Sequence, residues 1–166
     1  LIEAIFKLQD NFKKNVELTL IGSGPEKEIL KEIANKKKIS LRHYQNISKS
    51  RLLYILKKSN LLVAPSILEG DCGWAPCEAI FSNIPIIVSD IEVTREFLKD
   101  GAIYFEKNNS DDLAIKIKKF INKEIDGEKI IKLGKKNLEF YTIEKFKLRL
   151  TKLLNEIKKN EISNLF

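Results

Sequence analysis

A short stretch, EGDCGWAPCEA at residues 69–79, sets two carboxylates on either side of a glycine-rich loop, between the apolar runs NLLVAPS (60–66) and EAIF (78–81). Neither a surface turn nor a core strand needs two glutamates, two glycines, a tryptophan and a proline together. A helix beginning near Pro76 offers unsatisfied N–H groups and a partial positive charge to an anion. Gly70 and Gly73 carry no Cβ, so the backbone there can approach a ligand such as a phosphate closely. A carboxylate is a poor partner for phosphate, so Glu69 and Glu78 must face something else. Ionised carboxylates only accept hydrogen bonds, and paired sugar hydroxyls are natural donors to them. Phosphate cradled by backbone, with hydroxyls gripped by acids on both sides, describes a nucleotide-sugar site.

Other groups that could do chemistry are few. Cys72 and Cys77 are too few for a four-ligand zinc site and form no CxxC pair, so we expect reduced thiols of a cytoplasmic protein. His43, in ISLRHYQ, is the single histidine and is expected to be structural, which argues against a metal centre or a Ser-His-Asp triad here. Asp111 and Asp112 follow Ser110 at a helix start and read as capping acids. Trp74 suits a core anchor and a stacking platform equally. The formal charge of +7 comes from 30 basic and 23 acidic residues, with lysines spread along helix faces and arginine only at 42, 51, 95 and 149. That pattern lacks the arginine and aromatic interleaving of a nucleic-acid surface, so no nucleic acid is expected. It is compatible with attraction to an anionic membrane face.

Two periodicities alternate along the chain and must position the loop. Residues 1–14 carry Ile2, Ile5, Phe6 and Leu8 at helical spacing, and VELTLIG follows as a strand. GSGPE then opens a helix with Ile29, Leu30 and Ile33, with Pro25 near its first turn and Glu26 suited to its positive end. ISLRHY reads as a strand, and Ser48 caps a helix whose Leu52, Leu53, Ile55 and Leu56 form a buried stripe. LLVAP is a short buried strand. After the loop come a helix through EAIFSN, the strand IPIIVSD, a turn containing VTREFLKDG and the strand AIYF. A helix starting at Ser110–Asp112 and two more, about 128–140 and 143–159, complete the chain. This order predicts an α/β fold: a Rossmann-like parallel sheet with helices on both faces and the last helices packed across it. Ligands of such sheets sit at the carboxyl ends of strands, where both GSGP and the loop 65–78 fall.

The segment PSILEGDCGWAPCEAIFSNIPIIVSDIEVTREFLKDGAIYFEKNNSDDLA resembles the carboxyl-terminal half of family 4 glycosyltransferases, retaining enzymes of GT-B fold. Their pattern P-S-x-x-E-G-F-G-L-x-P-x-E-A is followed by a small-residue turn and PVI.SD. Upstream, VELTLIGSGPE and HYQNIS stand where the family has L.I.G.GP and F.G.V, so the resemblance runs over roughly residues 1–120. The tail SDIEVTREFLKDGAIYF is similar to members that build polysaccharides. The resemblance implies that Glu69 contacts donor-sugar hydroxyls near the anomeric centre and that Glu78 binds the ribose diol. It implies that backbone N–H groups of Asp71, Cys72, Gly73, Trp74 and Ala75, beside Gly70, meet the diphosphate or the sugar. Gly22, Ser23, Gly24 and Ile47 then lie beside the nucleobase. No cofactor and no metal are implied.

Two departures from the pattern stand out. Eight residues separate Glu69 from Glu78 where the family has seven, because Asp71–Cys72 replaces one aromatic residue. The family's first strand with GR, and the KG after it, precede an opening helix like Leu1–Leu8, and here they are absent. The chain also starts at Leu1 without any methionine. We therefore expect residues 1–166 to be the donor-binding domain of a two-domain enzyme, lacking the first strand and the acceptor-binding N-terminal domain, its partner. The expected ligand is a nucleotide-diphosphate sugar, and the expected place is the cytoplasm or the inner face of its membrane. The alternatives are a nucleotide-sugar 2-epimerase of the same fold and a non-catalytic nucleotide-binding or membrane-docking module.

Overall fold

The computed structural model describes residues 1–8, 16–68 and 73–163, with side chains to residue 157. Its first half holds helix α1 (Ile2–Lys7), strand β1 (Glu17–Ile21), α2 (Lys27–Lys36), β2 (Ser40–Tyr44), α3 (Lys49–Lys58) and β3 (Leu62–Ala64). The second half holds α4 (Trp74–Phe81), β4 (Ile86–Ser89), α5 (Glu92–Leu98), β5 (Ile103–Phe105), α6 (Ser110–Ile121), α7 (Gly127–Glu139) and α8 (Ile143–Ser163). All described pairing is parallel, as the alternation predicts. β1 pairs with β2 (Leu18 with Leu41), and β4 lies between β3 and β5 (Val63 with Ile87, Ile87 with Ile103).

β4 is the one described strand with a partner on each side, and IIVS is buried at every position. Its even positions, Ile86 and Val88, pack with Ala79, Ile80 and Leu98 on one face. Ile87 packs on the other face with Ala4, Leu8, Leu113 and Ile117, so helices cover both sides. LLVAP was expected to be buried on both faces too, but β3 is only half-buried. Among the described residues the strands form one pair and one triple, and β3 is an edge with β4 on one side and no hydrogen bond to β1 on the other.

Helix α1 spans the two groups by its own period. Ile2 and Ile5 join Leu18, Ala34 and Ile39 beneath β1 and β2, while Ala4 and Leu8 face the β4–β5 core. Lys7 fixes the helix end by donating to Ser110 Oγ and to Asp111 Oδ2 at 2.8 and 2.7 Å. Phe6, expected in the stripe, is 43% exposed with the Lys37 ammonium over its ring. Ile29 is likewise exposed, and in the helix α3 stripe only Leu56 is fully buried.

Local stops and starts follow side-chain chemistry. Ser48 Oγ accepts from the Arg51 N–H and caps α3, as its sequence predicts. The α6 cap lies one residue ahead of the expected Ser110: Asn109 Oδ1 accepts from the N–H groups of Asp111 and Asp112. That leaves Asp112 Oδ2 to accept from the Glu106 N–H at 2.7 Å. VTREFLKDG, expected as a turn, is instead the helix α5, held by Thr94 Oγ1 donating to the Ser89 carbonyl at 2.8 Å.

Behind α5, Tyr104 donates to the carbonyl oxygens of Lys99 (2.7 Å) and Thr94 (3.2 Å). Burial pushes its hydroxyl up to about 12, against the opposing pull of Arg95 and with smaller help from Asp90 and Asp100. A value raised on folding means that the protonated native form is favoured. This contribution to stability is therefore complete below pH 10.0, the ordinary tyrosine value, and is lost as pH rises towards 12. Chemical denaturation at a series of alkaline pH values should show a fall in that window that Tyr104→Phe largely removes.

Candidate functional site

Every described strand pair is parallel, so β1 and β2 run the same way, as do β3, β4 and β5, and within each group the segments that follow the strands emerge at its carboxyl end. After β1, the Gly22 N–H extends the ladder by donating to the Tyr44 carbonyl at 3.0 Å. Gly22, Ser23 and Gly24 are exposed there and wall a cleft of about 370 Å³ with Leu20, Pro25 and His43. His43 has the structural role expected of it: its Nε2 donates to the Gly22 carbonyl at 2.9 Å. Lys27, at the start of α2, donates to Gln45 Oε1 at 3.0 Å and ties the glycine turn to the segment that contains Ile47.

Ile47 leads into Ser48 and then Lys49, whose ammonium forms an ion pair with Glu78 Oε1. This contact brings the start of α3 against α4 and places Ile47 and Glu78 in one neighbourhood. Helix α4 begins at Trp74, earlier than Pro76, with Gly73 as its N-cap at φ 75°. Only glycine takes that conformation without a Cβ penalty, which accounts for this glycine independently of any ligand. A start near Pro76 would leave Glu78 in the first turn, but with the early start it is the fifth residue of α4, and that first turn holds no acid. Its charge is thus answered by Lys49 more than by the helix end. Trp74 is 81% exposed and does not anchor the core, and Ala75 is also exposed. Glu69, Gly70, Asp71 and Cys72 lie outside the described residues.

The sequence reading overlooked a second cleft, of about 450 Å³, lined by Asp90, Arg95, Tyr104, Glu106, Lys107 and Asp112 at the ends of β4 and β5. Arg95 grips Asp90 through two hydrogen bonds, from Nε at 2.6 Å and from Nη2 at 2.5 Å, and lies 3.7 Å from the Tyr104 ring centre. The guanidinium holds the Asp90 carboxyl below the usual carboxylate range. Asp90 and Arg95 of SDIEVTRE therefore meet five residues apart, as a local clamp on the turn into α5. Lys49 was missed for another reason: it reads as one more solvated lysine. The available signal was its place in the first turn of a helix, where the dipole disfavours a cation. Among the described residues, no group of three His, Cys, Asp or Glu side chains is placed to hold a metal ion, and no helix is long and apolar enough to cross a membrane.

A parallel α/β fold with helices on both faces defines the Rossmann-like class of domain. Residues 1–137 match the family described as glycosyl transferases group 1, and the chain belongs to that family, whose members have the GT-B fold. Over 85 residues it is 40% identical to the O-antigen chain mannosyltransferase RfbU of Salmonella typhimurium, covering 51% of this chain and 22% of that one. The catalytic domain of cholesterol-α-glucosyltransferase from Helicobacter pylori superposes with a TM-score of 0.69 and 27% identity, covering 83% of this chain and 87% of that one. Anabaena HepE in complex with UDP-glucose gives 0.76 at 13% identity, covering 94% and 44%, a likeness of fold alone. The chain spans less than half the length of the two sequence relatives it matches, 22% and 44%.

Proposed function

We propose that this chain is the donor-binding half of a retaining glycosyltransferase that takes a nucleotide-diphosphate sugar and passes the sugar to a polysaccharide, lipid or other acceptor. The observation that carries the reading is the linking of Gly22–Gly24, the Ile47 segment and Glu78 through the His43–Gly22, Lys27–Gln45 and Lys49–Glu78 contacts. The nucleobase sits by the glycine turn and Ile47, the ribose diol on Glu78, and the diphosphate along the N–H groups that open α4. Glu69 faces the sugar. In the reaction, the bond from the anomeric carbon to the diphosphate oxygen breaks, an acceptor hydroxyl oxygen forms the new one, and the hydroxyl proton passes to the departing nucleoside diphosphate. The transition state is an oxocarbenium-like sugar, and the protein's work is positioning and stabilisation of separating charge. UDP-glucose bound to HepE and the mannosyltransferase name of RfbU support a nucleotide-sugar donor.

The domain organisation belongs to the same proposal: an acceptor-binding domain and a further central strand of the enzyme complete this half. Two observations support it. β1 and β3 are both left as edges, and α8 carries a stripe of Ile143, Phe146, Leu150, Leu153, Leu154 and Ile157, each at least 42% exposed. A patch of that kind is a surface for another protein segment. Lysine clusters on the helices favour a second reading, docking at an anionic membrane face, which flotation with anionic vesicles would test.

Titration of the intact enzyme with nucleoside diphosphates tests the main reading. Hydrogen bonds to a charged acceptor contribute about 1.5–3 kcal/mol each. Glu78→Gln is therefore expected to weaken nucleotide binding by about tenfold or more. Unchanged affinity would make Glu78 an ordinary surface acid.

A further inference from the structure

We propose that Lys49 is the positioning residue for Glu78 in nucleotide recognition, holding one carboxylate oxygen so that the other is presented to a vicinal diol. The proposal rests on the reading of Glu78 given above. Its ground is that neither partner of the ion pair stands where its own helix would put it. Lys49 opens α3, at the positive end of the dipole, where a cation is unfavourable, and the basic residues that complement the other end are Lys57 and Lys58. Glu78 is the fifth residue of α4, past the turn in which an acid complements that dipole. Two misplaced charges that meet across two helices indicate a function in the meeting.

The geometry gives that function an order. The Glu78 side chain is 19% exposed and the Lys49 side chain 62% exposed, so the acid lies in the fold and the lysine reaches in from outside. Lys49 occupies Oε1. A carboxylate has about four lone-pair sites, so with Lys49 as its partner among the described residues Oε2 and part of Oε1 remain for two hydroxyl donors. Without Lys49, the Glu78 side chain recovers its rotamer freedom, and ordering it then falls on the ligand. Because Ile47 lies two residues ahead, the same contact sets the spacing between the base-binding segment and the diol acceptor.

The experiment is a titration of the intact enzyme with UDP or GDP, whichever binds, and with its 2′-deoxy counterpart. Lys49→Met, Lys49→Arg and Glu78→Gln are compared with the parent. An exposed ion pair is modest in strength, so Lys49→Met is expected to weaken binding of the ribonucleotide about three- to fivefold. Its preference for ribo- over 2′-deoxynucleotide should shrink, while Lys49→Arg keeps both within about twofold. A purely structural lysine would not move that preference. Lys49→Met binding that is unchanged, tighter, or weakened equally for both nucleotides overturns the proposal. If Glu78→Gln is weakened while Lys49→Met is not, only the role of Lys49 falls. If Glu78→Gln keeps full affinity, the reading of the site and this proposal fall together.

Discussion

In the intact enzyme, Glu69→Gln is expected to lower the rate of sugar transfer by about a hundredfold or more while nucleotide affinity stays within about threefold. In the proposed function the carboxylate faces the sugar, whose charge would change between ground and transition state. Glutamine keeps the shape and the hydrogen-bonding oxygen but removes the negative charge that stabilises an oxocarbenium-like centre. Only interactions stronger in the transition state than in the ground state accelerate the chemical step, so the loss should fall on kcat. Removing one preorganised oxyanion-hole donor costs about 2.7–4 kcal/mol in other enzymes, and a loss of comparable size is expected here. Transfer rates at saturating donor, set beside a nucleotide titration, separate the two effects. Glu78→Gln supplies the opposite pattern, with affinity lost first. An unchanged Glu69→Gln rate would mean that the extra residue at Asp71–Cys72 has carried the acid out of the site.

The second large effect concerns stability, at a contact of two glycines. A Cβ added to Gly101 would overlap the backbone of Gly134 in α7 and come within 3.0 Å of the Leu133 carbonyl carbon. Backbone cannot swing aside as a side chain can. Helix α7 is also pinned there by Asn137, which donates to the Leu98 carbonyl at 2.8 Å and to Asp100 at 2.9 Å. Gly101→Ala should therefore cost about 3 kcal/mol, the upper end of ordinary overpacking. In a chain of this size that corresponds to a fall of about 10 °C in Tm. Gly134→Ala should cost less. Its Cβ would meet Ile80 Cδ1 at 2.9 Å, the flexible end of a side chain, and the Gly101 carbonyl oxygen at 3.1 Å, a tight contact but not an overlap of the 2.3 Å kind, and alanine recovers about 1 kcal/mol of helix propensity. Thermal unfolding of both variants gives the order. A neutral Gly101→Ala would mean that the turn after α5 can relax away from α7.

The sequence alone determined the parallel α/β architecture, because it is written in local periods. Helical spacing at Ile2 and Ile5 and continuous apolar strands such as IIVS need no distant partner to be read. Ser48 as a cap was legible for the same reason: capping reaches only three residues. The family was legible from PSILEG, WAPCEA and VSD, since a turn that must admit a ligand constrains type and spacing together. Tertiary structure decided which apolar residues are core. Phe6 and Ile29 keep the spacing but face outward, while α1 divides its sides between two groups of strands. It decided why Gly134 interrupts a helix: its contact is Gly101, far away in sequence. It also decided the electrostatics of the site. Lys49 and Glu78 are 29 residues apart, and Asp90, Arg95 and Tyr104 meet only where β4, α5 and β5 converge. Coulombic and hydrogen-bonding partners are fixed by distances in space, and a linear pattern carries those only within a helix turn or along a strand.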